Sequence, residues 1–348
     1  FGEKSERKMR DSVAASTVLS ILCTLLLTAV LCALVHPILK WMNTPQDIYQ
    51  RTYDYLFIIF LGSGATVFYN LISNLLRALG DSRTPLYFLI ISSLLNVVLG
   101  ILFIVPLQMD VAGAAWATVL AQLISAVLCI WYAGRKFEVL RITREVFRFR
   151  KDAVIRHIRI GFPMGFQMSV MCIGQLAMQA AVNHIGTAAI AGYTAASKVD
   201  QLAVLVDTAV GIAVATFVGQ NFGAQKWKRI RTGVTSCFLM LSGLNIVMGA
   251  VLLLGKSFVV PMFVNNPTAE IISYSDQYLW VIVPFYLFLG ALLVYRTAIQ
   301  SMGNTWAPFV ACIIELIARV ACASVVASYL GYKAICFGYN TQRINILL

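Results

Sequence analysis

Nine stretches of this chain are long and apolar enough to cross a lipid bilayer: residues 14–36, 53–76, 85–106, 111–133, 160–184, 189–218, 232–254, 273–298 and 307–329. An α-helix rises 1.5 Å per residue, so about 20 apolar residues span the ~30 Å hydrocarbon layer. A tenth run starts at Gly331, turns polar at "NTQRIN" and reaches Leu348. The runs are twice the length of a barrel strand and lack alternating polarity. Because lipid offers the backbone no hydrogen-bond partners, the remaining option is helical. Composition agrees: 59% of the 348 residues are hydrophobic and only 12% charged, against roughly 25% charged in soluble domains. The expected fold is an all-α polytopic membrane protein.

The formal net charge of +12 would suit nucleic acid if the basic residues were spread over one surface. They are not. In alternate connections, residues 1–13, 77–84, 134–160 and 220–232 hold 19 Lys and Arg, whereas the intervening set holds only Lys40, Arg51, Lys256 and Lys333. That asymmetry is the positive-inside rule, which places residues 1–13 in the cytoplasm; the expected location is the cell (inner or plasma) membrane. The charge sets orientation, and no nucleic-acid partner is expected.

"FGEKSERKMRDSV" at 1–13 returns as "FGAQKWKRIRTGV" at 222–234. Six spans lie between the copies, so the chain is back on the same side of the membrane and the repeat is parallel. At an offset of 223, "YLFII" (55–59) matches "YLWVI" (278–282), and "RALGDSRTP" (77–85) matches "QSMGNTWAP" (300–308). The unit is therefore six helices long, and the expected plan is two pseudo-symmetric parallel six-helix lobes. The second unit has two spans ahead of its "FGAQ" and the first has none ahead of "FGEK". On this reading the chain is a fragment, lacking its first two helices and most of its last. The expected divisions are an incomplete N-terminal lobe at 1–134, a basic amphipathic interfacial linker at 135–159 and a C-terminal lobe at 160–348. Pro85 starts a span, and Asp81, Ser82 and Thr84 are placed to cap it after the Gly80 turn.

Enzyme chemistry finds little support. The eight cysteines sit in apolar runs without a CxxC pair, and the three histidines are scattered, so no metal site is expected. A relaxed phosphate-loop pattern, "AVLLLGKS" at 250–257, ends a span in four apolar residues rather than forming a glycine-rich cradle.

Six ionisable residues lie inside spans: Lys198, Asp200, Asp207, Arg296, Glu315 and Arg319. A charge at the bilayer centre costs about 2.5–3.5 kcal/mol on insertion scales, so each needs a partner, water or a task. Seven residues rotate a helix by about 700°, which brings Asp200 and Asp207 to within ~20° of one face and leaves Lys198 nearly opposite. Carboxylates on such a face suit ion coupling, since they take up a proton or ligate sodium and attract a cation. Internal pairing is the competing explanation; Glu315 and Arg319, at i and i+4 in the favourable order, are expected to pair, with Arg296 sharing the carboxylate. Gln167, Gln175, Tyr193, Asn70 and Tyr295 are polar candidates for a cavity wall. Interhelical hydrogen bonds are the commoner use of such residues. Pro284, in mid-span, is expected to kink its helix.

"MNTP" (42–45), "RALGDSRTPLYF" (77–88), "GFPMGFQMS" (161–169), "AGYTAASKVDQL" (191–202), "GQNFGA" (219–224) and "YRTAIQSMGN" (295–304) together resemble the multidrug and toxic compound extrusion (MATE) transporters. The resemblance implies twelve helices in two lobes, of which residues 1–134 would supply helices three to six. It further implies a central cavity open alternately to each side, and export of organic cations or amphipathic drugs driven by inward proton or sodium flow. A monomer in the bilayer, with a small organic cation as partner and no cofactor beyond the transported ion, is the corresponding expectation. One branch of the family keeps its coupling acid on the first helix, absent here; another uses acids on the seventh and tenth helices. Here 160–184 has only Gln167, Gln175 and Gln179, and 273–298 has Arg296 inside and Asp276 at its outer end. A lipid-linked oligosaccharide flippase of similar architecture is the alternative, for which Lys198, Arg296 and Arg319 would grip pyrophosphate.

Overall fold

The computed structural model describes residues 3, 5–42, 44–141, 151–259, 263, 264, 268–321, 332 and 336. These residues form helices and connecting turns, without a strand among them. By internal contacts the chain divides into two compact units, Glu3–Ile158 and Arg159–Leu348. Among the described residues, eight helical runs are long and apolar enough to cross a membrane. The expected ninth run is described only as far as Ala321, and the tenth falls outside the described residues apart from positions 332 and 336.

The first unit contains α1 (Glu6–Trp41), α2 (Gln46–Leu61), α3 (Ser63–Ala78), α4 (Arg83–Ile104) and α5 (Asp110–Lys136), closed by a 3-10 turn at Glu138–Leu140. The basic opening segment is not a loop before a span. Ser5 accepts the Lys8 amide and starts α1 at Glu6, so Arg7, Lys8 and Arg10 occupy its first turns. Cations at a helix N-terminus oppose the macrodipole; Lys8 meets that by donating to Glu3 at 2.6 Å, which holds the Glu3 carboxyl below its ordinary value. Within the unit α4 packs on α5, and Asn96 on α4 donates to Thr118 on α5 at 3.0 Å. Thr66 on α3 donates to Gln122 on α5. Of the expected linker, residues 142–150 lie outside the described residues, and 151–159 open α6 (Lys151–Asn183), which runs on without a break into the second unit.

The second unit continues with α7 (Thr187–Gly223), α8 (Trp227–Val259), α9 (Ala269–Ile282), a 3-10 turn at Val283–Phe285, α10 (Tyr286–Ser301) and α11 (Trp306–Ala321). The "AVLLLGKS" stretch is helical throughout, inside α8, and has no loop with which to cradle phosphate. α7 is the hub, packed against α8, α9 and α10.

The repeat extends to the way one helix is broken. Adding the offset of 223 to Gln46, Ser63 and Ala78, which bound α2 and α3, gives Ala269, Tyr286 and Ser301, which bound α9 and α10. In the second unit Pro284 interrupts the ladder because it has no N–H to donate. In the first, the boundary falls at Gly62, whose amide still donates to Ile58 at 2.9 Å while its carbonyl accepts the Ala65 amide at 3.0 Å, and where Val119 of α5 sits so close that a Cβ could not fit. The turns that follow also coincide. Gly80 and Gly303 both have φ of +93°, and the amides of Asp81 and Asn304 close back on Leu76 and Ile299 at 2.9 and 3.3 Å. This is the left-handed helix stop that glycine permits.

Chemistry diverges at the next residue. Asp81 accepts the Thr84 amide at 3.1 Å and the Lys136 ammonium at 2.7 Å, while Asn304 accepts only the Ala307 amide, at 3.3 Å. Ser82 makes no cap. Burial pushes the Asp81 carboxyl up, but the Lys136 and Thr84 donors outweigh it and hold the group below its ordinary value. A depressed carboxyl contributes stability above its unfolded pKa and loses it as pH falls through the folded one. Asp81→Ala should therefore lower unfolding stability by about 1 kcal/mol at neutral pH. Thermal melts should show that difference shrinking as the pH falls below the ordinary aspartate range and the wild-type carboxylate is itself protonated.

Candidate functional site

One buried stripe of α7 decides where the candidate acids lie. Small residues let neighbouring helices close on it. Gly192 meets α9 at Ile271, Tyr274 and Ser275, and Gly211 meets Thr297 of α10. Ser275 donates to the Gly192 carbonyl at 3.0 Å, fastening α9 to α7. Both approaches run in the same chain direction. The part of α7 between them therefore faces the part of α9–α10 that contains the 3-10 turn.

Asp200 and Asp207 fall in that interval, each 1% exposed. They are about 10 Å apart along the axis, at 1.5 Å per residue. Ala196, Val199 and Ala203, which flank Asp200 on the wheel, share an apolar cluster with Ile282, Val283 and Tyr286 around the break. Asp207 sits where that cluster gives way to another, formed by Val214, Val218, Val294 and Ala298 with Val210 at its edge. Two carboxyls thus interrupt a largely apolar helix contact, one of them flanked by residues that share a cluster with the 3-10 turn. Broken helices that bring backbone polar groups to a side chain within the membrane are a recurrent way to build ion sites in transporters. Tyr193, two turns before Asp200, is buried edge-on against Tyr278 at 5.4 Å between ring centres.

A second polar group joins α6, α10 and α11. Gln300 donates to the Gln167 side chain at 2.9 Å, and the Cys312 thiol donates to the Gln167 carbonyl at 3.7 Å. Arg296 lies against the Met171 sulfur at 3.9 Å. Glu315, 2% exposed, is one turn along α11 from Cys312. The Arg319 side chain lies outside the described residues, and with it the expected Glu315–Arg319 pair.

The remaining candidates are not drawn into these groups. Lys198 is exposed, on the side of α7 away from Asp200, as residues two apart on a helix must be. Gln175, Asn70 and Tyr295 are also exposed, and Tyr295 stacks at a tilt on Phe238, with ring centres 5.9 Å apart. Gln167 and Tyr193 are the two cavity candidates that are buried.

Several participants went unread in the sequence. Asn245, buried on α8, donates to the Tyr286 carbonyl at 3.0 Å just beyond the 3-10 turn. Ser275 and Gln300 bind at helix crossings. A polar side chain alone in an apolar run was the available signal for Asn245. Gln300 lies at the end of α10, where polar residues are ordinary, and Ser275 is one of several polar residues in the middle of α9.

The chain as a whole is similar to known proteins. The MatE family model matches residues 1–102 and 163–325. A Bacillus subtilis protein described as the probable multidrug resistance protein YpnP is 31% identical over 302 residues, 86% of this chain and 67% of that protein. A Shewanella oneidensis protein described as an FAD transporter is 20% identical, over 91% of this chain and 72% of its own length. Among solved structures, a MOP superfamily transporter from Pyrococcus furiosus superimposes with a TM-score of 0.91 at 18% identity, covering 99% of this chain and 78% of that one.

Proposed function

The chain belongs to the MatE family of multidrug efflux transporters, and from that premise we propose that it exports organic cations or amphipathic drugs against an inward flow of protons or sodium, by alternating access. The observation that carries this reading is the pair of buried acids, Asp200 and Asp207, on one face of α7 beside the broken α9–α10 helix. An apolar side chain would pack at either position without the 2.5–3.5 kcal/mol that a charge costs at mid-membrane. Groups kept there at that cost are explained by a cation that binds and leaves.

In this scheme Asp200 is the primary coupling group. Ionised, it attracts the cationic substrate; once it takes a proton or is covered by sodium, its field is cancelled and the substrate leaves. Asp207, at the junction of the two apolar clusters, is the second station. Glu315 and Gln167 are charge and hydrogen-bond groups nearer α11. The flippase alternative needs a convergent cationic grip, and Lys198 faces away from the acids.

The test is efflux of ethidium from vesicles under an imposed proton or sodium gradient. Asp207→Asn should slow gradient-driven efflux about fivefold, the effect of ~1 kcal/mol, with expression unchanged. Efflux by the wild type that ignores both gradients would remove the coupling proposal.

A further inference from the structure

The basic end of the α4–α5 pair carries chemistry that the acids of the second unit do not use. Phe88 meets Tyr132 edge to face, with ring centres 6.0 Å apart, and Asn96 meets Thr118, so the two helices run antiparallel with these residues between them. One residue back along either helix turns a side chain by 100°. Because the chains run in opposite directions, both turns lead to the same flank of the pair. Tyr87 and Trp131 stand on that flank, 60% and 56% exposed. Arg83 and Arg135, one turn nearer the membrane surface, are exposed beside them, and the Arg135 guanidinium lies 4.3 Å over the Trp131 ring.

Neighbouring acids are already matched. Asp81 holds Lys136 at 2.7 Å and Glu138 holds Arg141 at 3.4 Å. Among the described residues no carboxylate pairs with Arg83 or Arg135. Deeper in the membrane the same flank is apolar, with Leu94 and Ile124 exposed. The second unit shows that this is not the flank by which a unit packs internally. At the 223-residue offset Leu86 corresponds to Phe309, which packs edge-on against Phe166 of α6 at 5.7 Å. Arg83 and Tyr87 correspond to Trp306 and Val310, and both of those stay exposed.

We propose that this flank binds one anionic phospholipid of the cytoplasmic leaflet. Arg83 and Arg135 grip the phosphate, whose oxygens match the fork of guanidinium donors. Tyr87 and Trp131 lie at headgroup level, where amphipathic rings are most stable, and the acyl chains run along Leu94 and Ile124. The positive-inside rule puts these helix ends on the cytoplasmic side, where anionic lipid is met. A zwitterionic lipid carries its own ammonium beside the phosphate and gains less from the two arginines. The site does not depend on what the protein transports.

Native mass spectrometry tests it, on the whole protein in detergent micelles doped with dioleoyl phosphatidylglycerol or dioleoyl phosphatidylcholine. The wild type should retain one phosphatidylglycerol about tenfold more tightly than phosphatidylcholine, and Arg83→Gln with Arg135→Gln should erase that preference. Lys228→Gln with Arg229→Gln removes the same charge from exposed positions at the start of α8 and should change phosphatidylglycerol binding by no more than about twofold. Trp131→Leu should weaken binding about threefold and Trp131→Phe should not. Excess glycerol phosphate should leave the lipid in place. Equal retention of the two lipids by the wild type would overturn the site, as would an equal loss in the α8 control, which would reduce it to general surface charge. Displacement by glycerol phosphate would overturn it in favour of a soluble anion.

Discussion

Asp200→Asn should abolish gradient-driven ethidium efflux while the protein still inserts and melts near the wild-type temperature. The amide matches the carboxyl in shape, so the apolar cluster of Ala196, Val199 and Ala203 with Ile282, Val283 and Tyr286 keeps its packing. What disappears is the ability to exchange a proton or hold a cation. Losing a buried charge's partner interaction is worth about 3 kcal/mol, on the order of a hundredfold in occupancy. Asp200→Glu, which restores the charge at the expense of one methylene in a tight site, should recover part of the rate. Were Asp200 a purely structural partner, the Asn variant would instead lose thermal stability and transport together. Parallel melting and efflux measurements separate the two.

The second large effect is mechanical. Adding a Cβ at Gly192 would place it 2.7 Å from the Tyr274 Cβ and 2.8 Å from the Ile271 carbonyl oxygen. Neither neighbour is the movable tip of a side chain, so α9 itself must shift, and the Ser275 hydrogen bond to Gly192 shifts with it. Gly192→Ala should cost about 1–3 kcal/mol, the usual range for overpacking, and Gly192→Leu should leave little folded protein. The control lies on the same helix. At Gly219 nothing stands within 4 Å of an added Cβ, and Gly219→Ala should be neutral or stabilising by about 0.5 kcal/mol, because alanine loses less backbone freedom in a helix. Fluorescence-detected size-exclusion after heating reads all three.

Eight of the expected spans, the repeat and the break at Pro284 were legible in the sequence because each leaves a strong mark: a length matched to the bilayer, a returning string of letters, a missing amide. The break at Gly62 was not, since glycine is ordinary in membrane helices and nothing local says that Val119 will press on it. Which side of a span faces lipid and which faces protein was legible only where charge marked it. Lipid and protein interior are equally apolar, so Leu205, exposed, and Val199, buried, look alike in the sequence. Asp200 and Asp207 stood out for that reason, while Asn245, Ser275 and Gln300 did not. Gln175 and Asn70 could be read as polar, but their exposure depends on helix rotation, which hydropathy does not encode.

The two halves are interrupted at the same register by different residues, one lacking a side chain and the other lacking an amide. At Gly62 the backbone donor is kept, bonding Ile58 at 2.9 Å, and any added side chain would meet Val119. At Pro284 the missing donor is itself the cause. After duplication, therefore, a single substitution at Pro284 can hand back what that copy lacks, whereas at Gly62 every substitution adds a clash.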